Sequence, residues 1–241
     1  MRTESIQIPP SCRGQPSPRL QLPPKCRGHP MTAHSIRVIL WLFAAMAAAG
    51  SALAAERGTV GTAERVQAGA VATHEGSERD LVAGNPILFD DTLKTGPGAR
   101  LLVKLDDGAA LTLGENASIH IDSFVYRPAA GTGRLALDVV EGAFLFIGGG
   151  IEDMNDSEVS IATPVATIGI RGTTVWGGPI DDGYGVLVLS GKVTVTTDVG
   201  AVMLEAGNAT MIDGSGSAPQ PPTGWDDATT ARAMASITFA E

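Results

Sequence analysis

The chain has 241 residues, of which 44% are hydrophobic and only 5% aromatic, with 30 Gly and 15 Pro. From Ala55 onward it holds 11 Lys and Arg against 25 Asp and Glu, a net charge of −14, which argues against nucleic acid or an anionic membrane surface as partner. Many glycines and few aromatics suit an all-β protein of short strands and tight turns, and the length suits one domain once the first fifth is set aside.

Residues 1–30 repeat PPSCRGQPS as PPKCRGHP and show no hydrophobic period, so they are not domain material. They are read as a doubtful N-terminal extension from a mis-called start, with Met31 the true first residue; a genuine basic extension is the rival reading. Residues 31–55 have the layout of a secretory signal peptide: Arg37, an apolar run from Val38 to Ala49, then the small-residue site Ala52-Leu53-Ala54. The run is too short for a comfortable membrane span, so cleavage is expected, with a periplasmic or secreted product and no stable membrane insertion; an uncleaved anchor is the rival reading. Both cysteines, Cys12 and Cys26, fall in the extension, which leaves the mature domain without a disulfide or a thiolate nucleophile.

The body, residues 56–213, reads as strands throughout. In ARLLVKLDDGAALTLGENASIHI, Leu101, Val103 and Leu105 alternate onto one face, and Leu111, Leu113, Ile119 and Ile121 resume the pattern after turns. The Asp107-Gly108 step predicts a two-residue hairpin with positive φ. Strands are expected again at RLALDVV, GAFLFI, ATIGIRGTTVW, YGVLVLS and KVTVTT. The ends of the body resemble one another: VQAGAVAT then LVAGN at 66–85 matches VLSGKVTV then LEAGN at 188–208, and VVEGAFLF is a partial third copy. Repeated strand-Gly-strand units predict a coiled or sandwich-like architecture with glycine at the corners. Residues 214–241 read as a linker, GSGSAPQPPTG, and a short C-terminal helix capped near Thr223 or Asp226.

Chemistry-bearing patterns are sparse. His74 and His120 are 46 positions apart and in no metal-ligand spacing. GVLVLSGKV departs from a phosphate loop in glycine spacing and in having Val193 where Ser or Thr is needed, and Ser190 lacks the glycines of a nucleophile elbow. The acidic pairs Asp90-Asp91, Asp106-Asp107 and Asp181-Asp182 lack the spacing of a calcium loop and read as turn formers. No cofactor or metal is expected, and the function class is non-enzymatic.

Arg171 stands out, a lone cation in the apolar run SIATPVATIGIRGTTVWGG. On a regular strand it shares a face with Val165, Thr167, Thr173 and Val175. Two readings stay open: a structural ion pair, with Asp106-Asp107 as the designated partner, or a contact to a ligand.

These motifs add up to a resemblance. LDDGAALTLGENASIHI, with Asp106, Asp107 and Gly108, resembles the Leu-x-Asp-Gly-Ser-x-Leu-x-Leu pattern of the FecR-like domain. ATPVATIGIRGTTVW, with Thr163, Pro164, Arg171, Gly172 and Thr173, resembles that family's Thr-Pro-x-Ala and Arg-Gly-Thr signature, and the likeness runs from about Val60 to Ile212. It implies an all-β periplasmic domain; the family's founding members relay an iron-siderophore signal from an outer-membrane receptor to a cytoplasmic sigma factor. This chain shows an export signal in place of their anti-sigma segment and membrane span, and its tail is short, so a stand-alone exported member is expected. Its expected role is a periplasmic interaction or sensory module that binds an envelope protein or receptor, without nucleic acid. The alternative is a structural envelope protein that contacts a surface glycan.

Overall fold

The structure, a computed structural model, describes residues 58–240. The expected extension and signal peptide lie outside the described residues. In chain order the strands are β1 (Thr59–Gln67), β2 (Ala70–His74), β3 (Ser77–Leu81), β4 (Pro86–Leu88), β5 (Thr92–Thr95), β6 (Arg100–Leu105), β7 (Ala110–Leu113) and β8 (Ser118–Arg127). They continue with β9 (Thr132–Glu141), β10 (Phe144–Ile147), β11 (Asp156–Ala162), β12 (Thr167–Ile180), β13 (Gly183–Thr197), β14 (Gly200–Glu205) and β15 (Ala209–Ile212), and one helix, α1 (Asp227–Ala235), follows. The protein is therefore all-β with a short C-terminal helix, its strands joined in one curled sheet.

The long hairpin of β12 and β13 is the spine of that sheet. Residues 167–170 of β12 pair with β11, whereas residues 174–177 pair with β10. On the far side, residues 184–187 of β13 pair with β15 and residues 192–197 with β14. The change of neighbours coincides with register shifts between Arg171 and Val175, a β-bulge that turns the sheet back on itself. Two leaves result. One runs β3-β2-β5-β8-β9-β11 into the first part of β12; the other runs β4-β1-β6-β7-β10 into its second part. Leu101, Leu111 and Phe146 from the second leaf and Ile119, Leu135 and Ile168 from the first belong to one buried core.

Glycine is required at this corner. Gly172 has φ +65° and Gly191, on the facing strand, φ +78°; a Cβ on Gly191 would stand 2.0 Å from the Gly172 carbonyl oxygen.

The repeat seen in the sequence corresponds to a repeated corner. Gly84 donates its N–H to Ala63 and Gly207 to Val188, both at 2.8 Å. Asn85 and Asn208 return the pattern, donating to Val82 and Glu205 while accepting from Ala63 and Val188. The two Ala-Gly-Asn segments thus make the same turn, one between β3 and β4 and the other between β14 and β15.

The C-terminal segment behaves differently from a linker. Gln220 donates to the Met211 carbonyl at 2.9 Å, Thr223 bridges to Ala209, and Thr210 Oγ1 donates to Gln220 at 2.7 Å. Asp226 caps α1 by accepting from the Thr229 amide at 2.7 Å. Ala233 and Ile237 then bury Trp176, Leu187 and Ala209 on the outer face of the second leaf. Trp176 donates through Nε1 to Ser236 Oγ at 3.1 Å and meets Trp225 edge-on at 5.8 Å. Composition suggested a spacer; Trp176 and its neighbours supply an apolar seat for it.

Candidate functional site

The Asp-Gly turn joins β6 to β7 as a three-residue loop, one residue longer than expected. Gly108 donates to Leu105 and Leu105 to Ala109, both at 2.9 Å, with φ +88° at Gly108 alone. This is a type I turn closed by a glycine bulge, and the extra residue turns Asp107 inward. Asp106 stays exposed, whereas Asp107 is buried. The Asp107 carboxylate accepts from the Ala109 amide at 3.0 Å and the Ile151 amide at 3.3 Å, and its carbonyl accepts from Gly150 at 2.8 Å.

The partner of Asp107 is therefore the segment Gly148-Gly149-Gly150-Ile151-Glu152. Its glycines let backbone lie on backbone: a Cβ on Gly149 would meet the Ala109 nitrogen at 2.3 Å. The same segment reaches the corner of β12. Gly148 donates to the Thr173 carbonyl at 2.9 Å, and the Glu152 carboxylate accepts from the Thr173 amide at 3.0 Å. Burial pushes the Glu152 carboxyl above its usual range, opposed by the Thr173 and Gly172 amides and reinforced by Asp107 and Asp153. Its Oε1 has no partner among the described residues, which suits a carboxyl driven toward its neutral form. Asp107 and Gly108 thus meet Gly172 and Thr173 through a loop that the sequence reading passed over. The run of three glycines followed by an acid was the available signal.

Arg171 does not join this cluster. It is exposed, directly opposite Lys192, and makes no hydrogen bond or ion pair among the described residues; the expected pairing with Asp106-Asp107 is absent. The bulge is the reason. Ile168 and Ile170 face the core before it and Thr173 and Val175 after it, so the face that Arg171 was to share with Thr173 and Val175 is split. Arg171 borders a trough of about 580 Å³ on the outer face of the first leaf, together with Gly169, Lys192, Thr194 and Met203.

Thr163 and Pro164 form the turn between β11 and β12. Thr163 Oγ1 accepts from Ala166 at 3.0 Å while the Thr163 amide donates to the Ala166 carbonyl at 2.8 Å, and Pro164 is exposed.

A buried ion pair does exist, elsewhere. Asp91, fully buried, takes a two-pronged contact from Arg79, accepts from the Leu88 amide at 2.7 Å and has His74 Nδ1 at 3.8 Å. Its neighbour Asp90, at φ +66°, pairs with His120 at 2.9 Å. The acidic pair is thus a turn, as expected, and also an anchor for both histidines of the described residues.

Residues 91–194 match the family model described as FecR protein. That span is similar to the FecR family. Every motif residue from Asp106 to Thr173 falls inside the matched span. The matched span also takes in residues 148–152, the loop that links them. No curated protein sequence matches the chain. Two solved structures from Parabacteroides distasonis, each described as an anti-sigma factor, are similar at 15% identity with TM-scores of 0.47 and 0.45. Each comparison covers 58% of this chain and 62% of the solved one, so the chain spans less than two thirds of those relatives' length.

Proposed function

We propose that this FecR-like domain is a non-enzymatic interaction or sensory module that works in the periplasm and binds an envelope protein. One observation carries the reading: the polar side chains at the corner and at the β11–β12 turn, Asp107, Glu152 and Thr163, are committed to backbone within the fold. Asp107 holds the Ala109 and Ile151 amides, Glu152 holds Thr173, and Thr163 holds Ala166. What the domain offers to the outside is surface, including the exposed apolar side chains Val82, Val140 and Val199. Export rests on the signal layout of residues 31–55.

The test is expression of the full chain with a photo-cross-linking amino acid at Val82, Val140 or Val199, followed by cell fractionation. The expected product is periplasmic, begins near Ala55 or Glu56, and forms discrete adducts removed by protease. Adducts sensitive to glycosidase but not to protease would favour the structural, glycan-contacting role. Cytoplasmic protein that retains residues 31–55 would defeat the reading.

A further inference from the structure

The outer faces of the two leaves are not alike. α1 and Trp225 pack on the second leaf, whereas among the described residues no element packs on the first around β11, β12 and β13. A row of charges crosses that face at one level. Arg134 of β9 stands opposite Glu158 of β11 and pairs with it at 2.8 Å; Lys192 of β13 stands opposite Glu205 of β14 and pairs with it at 2.7 Å. Between these closed pairs, Arg171 faces Lys192 directly, and no carboxylate lies within 4.0 Å of it among the described residues. The row therefore alternates in sign except at Arg171 and Lys192, where two cations adjoin.

Like charges opposite one another across strands repel, and a domain with a net charge of −14 has acidic residues in excess with which to avoid such a pair. One further carboxylate, placed between Arg171 and Lys192, would restore the alternation. The trough beside them has room for the rest of such a ligand. Gly169 gives it a floor without a side chain, since even an added Cβ would find its nearest neighbour, the Thr194 carbonyl, at 3.9 Å. Met203, 61% exposed, supplies an apolar wall.

We propose that Arg171 and Lys192 form a carboxylate-binding site and that the adjoining trough receives an acidic peptide segment of a partner protein. This rests on the interaction-module reading above. The occupant follows from the two adjoining cations and from the lining, in which the carboxylate of Glu158 is engaged by Arg134, while that of Glu205 is engaged by Lys192. Among the described residues no aromatic ring lines the trough, so a sugar finds no face on which to stack, while Met203 and the stem of Arg171 suit an aliphatic side chain beside the carboxylate. β11, β12 and β13 have neighbours on both edges here, so the segment lies across side chains and does not add a strand.

The test is fluorescence anisotropy at low salt with a labelled, blocked octapeptide that alternates Glu and Leu. The purified domain, residues 56–241, is first checked for a cooperative melt. Tight binding is expected for this peptide, and binding about tenfold weaker or worse when Gln replaces every Glu. Arg171→Met is expected to weaken binding by about tenfold, Lys192→Met by less because Glu205 already engages the lysine, and Glu158→Gln to strengthen it. All three side chains are exposed, so unchanged melting curves verify the fold. Equal affinity for the Glu and Gln peptides, or no loss with Arg171→Met, overturns the site. Binding of polygalacturonate in place of the peptide also overturns it and transfers the face to an anionic glycan. Each of these failures leaves the cellular cross-linking result standing, since that result does not depend on carboxylate chemistry.

Discussion

Arg79 on β3 closes on the carboxylate of Asp91, a fully buried group twelve residues along the chain. The pair ties an edge strand to the turn that leads into β5, and His74 and the Leu88 amide complete its surroundings. Removing the guanidinium strands a buried charge, so Arg79→Ala is expected to cost about 3 kcal/mol or more. Arg171→Ala is expected to cost less than about 0.5 kcal/mol, because that side chain is exposed and has no partner among the described residues. Urea denaturation of both variants checks the contrast, and equal losses would contradict it.

The corner loop makes a sterically sharper demand. In Gly149→Ala the new methyl would meet the Ala109 nitrogen at 2.3 Å and Asp107 Oδ2 at 2.7 Å, so the loop must lift and release the Ile151 amide from Asp107. A loss of about 2 kcal/mol is expected, in the range for overpacking combined with a broken buried hydrogen bond. Gly108→Val at φ +88° has open space around it and carries backbone strain alone, for a smaller loss of about 1 kcal/mol. Melting temperatures that reverse this order would show that the loop does not lie on the hairpin.

Glu152 gives the domain a pH dependence of definite sign. Its folded-state pKa lies above the unfolded value, mainly through burial, so the native state binds the proton more tightly. The stability contributed by that proton is complete below the unfolded pKa and is lost as pH rises through the folded one. Glu152→Gln keeps an oxygen to accept from Thr173 and removes the titration. It should therefore gain on the wild type as pH climbs through and above the ordinary carboxylate range, and denaturation midpoints measured from acid to neutral pH read the difference. A constant gap between the two proteins would rule Glu152 out as its source.

The C-terminal segment should prove to be part of the fold. Truncation after Thr223 removes Trp225, α1 and Ser236, and so uncovers Trp176, which is fully buried in the intact protein. A red-shifted tryptophan emission and a marked fall in melting temperature are expected; a truncated protein that melts like the full one would show that the segment is a dispensable tail.

The strands, the glycine corners and the short final helix were legible in the sequence because each depends on local properties. Alternation at Leu101, Val103 and Leu105 marks a half-buried strand wherever its partner lies, and Gly191 and Gly207 adopt positive φ that few other residues tolerate. The duplicated Ala-Gly-Asn turns were legible for the same reason. Placement of Arg171 was not, because one bulged residue at Gly172 exchanges the two faces of a strand and leaves no mark in the alternation on either side. Nor could the chain order reveal that Asp107 would meet Ile151, that Asp91 would take Arg79, or that the polar-looking tail would find a seat on Trp176. Those choices depend on which distant segments the folded sheet brings within about 3 Å, and hydrogen bonds of that length are set by register and curvature. Local chemistry determined what each segment is, and the turn of the sheet at Gly172 decided which of them meet.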